Sequence, residues 1–226
     1  MTALPYRVRR SPRARHARVQ VDAEGVEVVV PRRFPMRDVE PLLHEKRPWI
    51  ERTLRRMEAA RAEFPPPRLE DGGEVPYLGE RLGLRVRAEP GRLRAHVARR
   101  NGALHVVLGE QPLRDALEAW YRRRARVEVA ARLDAAVTRA GVRYTRLSIR
   151  GQRTRWASCS AGGAMSFNYR LLLAPAEILD YVVEHEVVHL EVHDHSPRFW
   201  AVLASRSPDW REHEHWLRRH GHALHL

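Results

Sequence analysis

Ile178-Leu-Asp-Tyr-Val-Val-Glu-His-Glu-Val-Val-His-Leu190 is the stretch whose reading decides the fold. It places His185, Glu186 and His189 in an apolar run that predicts a buried helix. On an α-helix, residues four apart lie about 6 Å apart along the axis and roughly 40° around it, so the two imidazoles can reach one ion. Zinc in a catalytic site takes three protein ligands and keeps a position for water, whose pKa falls to about 7. Glu186, next to the first imidazole, is placed to take a proton from such a water and hand it to a leaving group. The competing reading is a core helix whose histidines share one face by accident. With 13 His in the chain, random order yields roughly 0.06 such motifs, so the surrounding residues have to decide.

A third ligand is required, and His195 stands six residues after His189, the interval of the HExxHxxGxxH pattern. That pattern uses a glycine to break the helix, where this chain has Val192, a β-branched residue for which positive φ is costly. A different break is available: Ser196 reads as an N-cap and Pro197 as the first residue of a new helix. Asp194 is expected to end the preceding helix as a C-cap or turn residue, leaving His195 in the corner between two helices. His193 competes as a continuation of the helical stripe. Three imidazoles in line would spread about 12 Å along the axis and could not close a tetrahedral shell. Glu212 and Glu214, on a later helix, remain a further alternative for the third position.

Several flanking segments carry a resemblance. Arg153-Thr-Arg-Trp-Ala-Ser-Cys-Ser160, Met165-Ser-Phe-Asn-Tyr-Arg-Leu171, Ala174-Pro175, the motif itself and His195-Ser-Pro-Arg-Phe-Trp200 stand in series. Upstream lie Val30-Pro31, Lys46-Arg-Pro-Trp-Ile50 and Gly73-Glu-Val-Pro-Tyr-Leu-Gly79. Together they resemble the YgjP-like metal-dependent hydrolases, relatives of the SprT-like and minigluzincin zinc metallopeptidases, over nearly the whole chain. The resemblance implies that His185, His189 and His195 hold the metal and that Glu186 is catalytic. Ala157 stands where the family usually has glycine.

Composition bounds the remainder. The 226 residues are 43% hydrophobic, enough for one sizeable core or two modest ones. No apolar run approaches 18 residues, and Met1 to Arg10 has no signal-peptide stretch, so no membrane partner and a cytoplasmic location are expected. Cys159 is the only cysteine and reads as a small buried hydrophobe. The formal charge of +13 is carried by arginine, since Lys46 is the only lysine. The arginine clusters at residues 7–18 and 122–124 read as solvated faces; a polyanion would nonetheless be attracted to such a chain.

The coarse organisation is α+β: an N-terminal β-rich region with one helix over 1–110 and a C-terminal zincin-like domain with a short sheet and the HExxH helix over 111–226. Strands are expected between Arg7 and Val30, with a turn at Glu24-Gly25, and between Gly73 and Leu108, with a hairpin at Asn101-Gly102. Helices are expected from Val39 to Ala62 and from Gln111-Pro112 to Ala140. Trp49 reads as a core anchor. Strands are expected over Tyr144 to Arg150, Thr154 to Cys159 and Ala164 to Leu171, and the one around Ser166 to Asn168 as the edge that receives a peptide. Arg155 and Arg170 are candidates for an anionic substrate group, with surface ion pairing as the alternative. The functional expectation is a metal-dependent hydrolase with Zn2+ or another divalent transition metal, acting on a peptide or protein. Its alternatives are a nucleotide phosphoanhydride hydrolase and a nucleic-acid-binding adaptor with structural zinc. Oligomeric state is not legible.

Overall fold

The computed structural model describes residues 5–22, 25–152 and 154–226. Glu24 of the expected turn and Arg153 of the motif lie outside them. Contact density divides the chain into two compact units, Met1–Pro65 with Arg219–Ala223 and Pro66–Arg218 with Leu224–Leu226. Among the described residues there are five α-helices and three small mixed sheets. No helix among them is long and apolar enough to cross a membrane.

The first unit holds β1 (Tyr6–Ser11), β2 (Arg18–Asp22), β3 (Gly25–Pro31) and α1 (Val39–Glu63). β3 is the central strand, parallel to β1 and antiparallel to β2. Its alternate residues Val26, Val28 and Val30 pack with Val39, Leu43 and Ile50, which recur along one face of α1. Phe64 ends that helix, and the three prolines that follow cannot continue it. Trp49 is 41% exposed, contrary to the expectation of a core anchor. Ile50 takes the inward position, and one residue of helix rotates the side chain by about 100°.

The second unit begins with β4 (Glu74–Tyr77), β5 (Glu80–Ala88), β6 (His96–Arg100) and β7 (Ala103–Leu108), in the order β4-β5-β7-β6. β6 and β7 are joined through Asn101 and Gly102, both at positive φ (48° and 72°), the two-residue hairpin that the dipeptide predicts. α2 (Leu113–Ala140) follows, buried at Leu117, Tyr121, Ala125, Val129 and Leu133, one every four residues. Left-handed Gly141 (φ 68°) stops it. β8 (Arg146–Arg150), β9 (Ala157–Cys159) and β10 (Ala164–Asn168) form the third sheet, then come α3 (Ala176–Val188), α4 (Pro197–Arg206) and α5 (Trp210–His220).

That third sheet differs from expectation in a way that matters for the site. Its order is β8-β10-β9, so the strand containing Ser166 to Asn168 is central and β9 is an edge. β10 also stops at Asn168, because the Asn168 side chain accepts from the N–H of Arg170 (3.2 Å) and turns Tyr169–Leu173 into a 3-10 helix.

The basic run on α2 is largely internal ion pairing. Arg122 pairs with Glu118 (2.6 Å), and Glu128 accepts from Tyr77 (2.8 Å), Arg124 (2.7 Å) and Arg132 (2.8 Å). Arg132 continues to Asp180 of α3 (2.7 Å). Burial pushes the Glu128 carboxyl up, but its hydrogen bonds to Tyr77 and Arg132 and the charges of Arg132 and Arg124 outweigh this and hold it below the ordinary carboxylate value. A carboxyl lowered on folding adds stability above its unfolded pKa and loses it as pH falls through the folded one. Glu128→Gln is therefore expected to melt about 2–4 °C below the wild type near neutral pH, for a loss of about 1 kcal/mol. The gap should close as the pH is lowered through the acidic range. A gap that stayed constant down to acid pH would refute this account.

Candidate metal centre

α3 is apolar nearly all round: Ile178, Leu179, Tyr181, Val182, Val183, Val187 and Val188 are all buried. A helix of that kind belongs inside the fold, and it carries His185 and Glu186 in with it. It ends at Val188, with His189 as its C-cap, so Asp194 is not the cap. The N–H groups of Leu190 and Glu191 bond back three residues, to Val187 (3.0 Å) and Val188 (3.0 Å). The winding tightens and the helix tapers off without a glycine. Val192, whose N–H also reaches Val188 (2.9 Å), keeps a negative φ. Asp194 serves in the turn, its carboxylate accepting from the N–H of Ser196 (3.2 Å). Ser196 and Pro197 open α4 at the expected positions, although the serine hydroxyl makes no capping bond.

The result is a cluster of His185, His189 and His195, whose candidate ligand atoms lie within 4.8 Å of one another. Nε2 of His185 and Nε2 of His195 are 3.1 Å apart. Two nitrogens bound to a tetrahedral zinc at about 2.0–2.1 Å stand roughly 3.3 Å apart, so the spacing suits a shared ion. His189 Nδ1 lies 3.2 Å from the carbonyl of Val192, which leaves its Nε2 for a metal. Phe199, fully buried on α4, packs against all three rings at centroid distances of 4.9, 4.6 and 4.7 Å. Trp200 lies on His195 (5.5 Å) and stacks on Trp210 of α5 (4.4 Å). The rings thus rest on a fixed aromatic floor.

Electrostatics suit the donor set. Burial, then the neighbouring His189 and His195, push the His185 imidazole down to about 3, and burial also lowers His189. A neutral imidazole is the form that binds a metal. Glu186 is 6% exposed and one carboxylate oxygen, Oε2, has no hydrogen-bond partner among the described residues. Burial pushes its carboxyl up to about 7, partly offset by the N–H of Cys159. A positive charge at the triad would bring it down again.

Two adjoining cavities of about 340 Å³ each open on this cluster. One is lined by Ala157, Ser158, Cys159, the three histidines and His193; the other runs past Trp156, Tyr181, Val182 and Leu217 to Glu214 and Arg218. Arg155, Ala157, His185 and Glu186 border both. Edge strand β9 is therefore the strand along the cleft, in place of the central β10. The other candidate ligands fall outside the triad: His193 is an exposed rim residue, and Glu214 pairs with Arg218 (2.8 Å). Arg170 lies over the ring of Tyr169 (5.6 Å) and borders neither cavity, so of the two candidate arginines only Arg155 faces the cleft. Cys159 is half-buried on the cleft wall where a core position was expected. The role of β9 escaped the sequence reading because pairing order is a long-range property.

The sequence model of one protein family, described as "YgjP-like, metallopeptidase domain", matches residues 15–220. A comparison with curated proteins finds no match. Among solved structures, the metallopeptidase zymogen of abylysin from Pyrococcus abyssi is similar at 21% identity, covering 40% of this chain and 93% of that one, with a TM-score of 0.34.

Burial and the Glu186 charge push the Cys159 thiol up to about 11. Few thiolates exist at mild pH, so alkylation by iodoacetamide near pH 8 is expected to run about tenfold to a hundredfold slower than for free cysteine. Labelling as fast as the free amino acid, followed by mass spectrometry, would contradict that environment.

Proposed function

The chain belongs to the YgjP-like metallopeptidase family, and from that premise we propose a zinc-dependent peptidase in which His185, His189 and His195 hold the metal and Glu186 is the general base. The observation that carries the reading is the convergence of three imidazoles beside a buried carboxylate on the wall of an open cleft. A divalent ion held there would supply a Lewis acid for the scissile carbonyl and lower the pKa of an attacking water. Glu186 would take the proton from that water through its unpartnered Oε2 and deliver it to the departing amine. The N–H of Cys159 orients the carboxylate for both transfers. β9, with no strand on its other side among the described residues, offers main-chain groups that can align an extended peptide past the triad.

The hydrolase part in this reading is residues 111–226, which contain every residue named for the site, and β4 to β7 of the region 1–110 share its compact unit and core. A lone cysteine, with no disulfide to form within the chain, fits a reducing, cytoplasmic setting. Hydrolysis of nucleotide phosphoanhydrides is the rival reaction, which the arginine on the cleft wall would also suit.

Metal-loaded protein is expected to release peptide fragments from casein and no pyrophosphate from nucleoside triphosphates. Glu186→Gln should lower kcat/KM by about a hundredfold to ten-thousandfold while keeping one metal per chain by elemental analysis. His195→Ala should weaken metal binding itself. Retention of stoichiometric metal in a His185→Ala, His189→Ala, His195→Ala triple variant would sink the assignment of the ligands.

A further inference from the structure

One guanidinium in the cleft is left over after every other charge has been accounted for. Arg218 is neutralised by Glu214 at 2.8 Å. Arg155 is exposed, has no carboxylate within ion-pair distance among the described residues, and is the only cation that borders both cavities at the triad. An exposed guanidinium without a carboxylate partner, beside the triad, is free to receive an anion that enters the cleft.

The backbone beneath Arg155 is built to hold it there. Asn168, 2% exposed, donates its side-chain amide to the carbonyls of Gln152 (2.7 Å) and Arg155 (3.1 Å), and its own N–H bonds the carbonyl of Trp156 (2.7 Å). Three bonds from one buried asparagine fix the segment that leads into β9. Arg155 lies just ahead of β9, with a bend at Trp156 between them, and so at most about 13 Å along the chain from Cys159, whose N–H lies against Glu186. An extended peptide covers that distance in about four residues or fewer. The adjacent cavity has an apolar wall of Trp156, Val182 and Leu217, so the peptide residue between the scissile bond and Arg155 meets apolar surface before the charge.

We infer that Arg155 selects peptides carrying a carboxylate within a few residues of the scissile bond, held by the planar fork of its guanidinium. The carboxylate comes either from the peptide C-terminus or from an aspartate or glutamate side chain; the chemistry recognised is the same. The inference rests on the peptidase reading and deepens it.

Two peptide pairs test it with the zinc-loaded full chain: one pair differs in a free or amidated C-terminus, the other in glutamate or glutamine near the cleaved bond. For the wild type, kcat/KM is expected to favour the acid member of one pair by about tenfold to a hundredfold, through KM. Which pair shows the preference assigns the source of the carboxylate. In Arg155→Gln the ratio should fall to about one, and Arg155→Lys should keep part of it. A ratio near one in the wild type overturns the inference, as does an undiminished ratio in Arg155→Gln. A uniform loss on all four peptides with the ratio preserved also overturns it, since the residue would then serve the reaction centre. Calorimetric binding of the same peptides to zinc-loaded Glu186→Gln separates the two levels. If the wild type cuts no peptide while the acid member still binds more tightly than its neutral partner in an Arg155-dependent way, the peptidase reading fails and carboxylate selection by Arg155 stands.

Discussion

The taper of α3 after His189 is the constraint on which the centre depends. Two imidazoles a turn apart follow from any regular helix, but a third must come back to the same point, and a helix running straight on would carry it away. Here the return is made by N–H groups that reach three residues back and draw the chain into a tight turn. The Asp194 carboxylate then receives the N–H of Ser196, and Pro197 starts α4 in a new direction. His195 lies at the vertex. The same few bonds set the tautomer of His189, because the Val192 carbonyl exposed by the turn faces its Nδ1.

Convergence also needs a floor, and Phe199 supplies it. Three rings within 5 Å of one phenyl face cannot spread apart without opening a void in a close-packed interior. Since Phe199 is two residues into α4 from the proline, the helix start that turns His195 inward also delivers the ring that supports it. Trp200 extends the floor to Trp210, so the cluster is tied to α5 by stacked aromatics.

How much of this the sequence disclosed depends on the range of the interaction responsible. The helix, its histidine spacing, the Ser-Pro start of α4, the Asn101-Gly102 hairpin and the Gly141 stop are all set by neighbours within a few residues, and were legible. The point where α3 ends was misplaced because the tapering bonds come from main-chain N–H groups, which any residue offers. Of the two roles open to Asp194, C-cap or turn residue, it takes the second. β10 was mistaken for an edge because its alternation of Met165 and Phe167 inward says which face is buried and nothing about which strands lie beside it. The parallel pairing of β10 with β8, across the intervening β9 hairpin, decides that. Trp49 failed for another reason: two large apolar neighbours, Trp49 and Ile50, compete for one inward position, and composition cannot rank them.

A single physical cause, the burial of α3, acts with opposite sign on adjacent residues. Removing water from His185 disfavours its protonated form, and removing water from Glu186 disfavours its ionised form. The imidazole becomes a ready donor for a cation, and the raised carboxyl would be drawn down again by the charge of that cation. Neither effect requires a charged partner, so no structural ion pair has to be broken when a cation and a substrate arrive. The charged pairs around Glu128 and between Arg139 and Glu184 lie away from the cleft lining, and the Glu214–Arg218 pair lines only the cavity beside the triad. The valines that surround the motif histidines therefore set these electrostatics as much as the histidines do: a polar residue at Val182 or Val187 would bring water to the helix and return both groups toward their ordinary values.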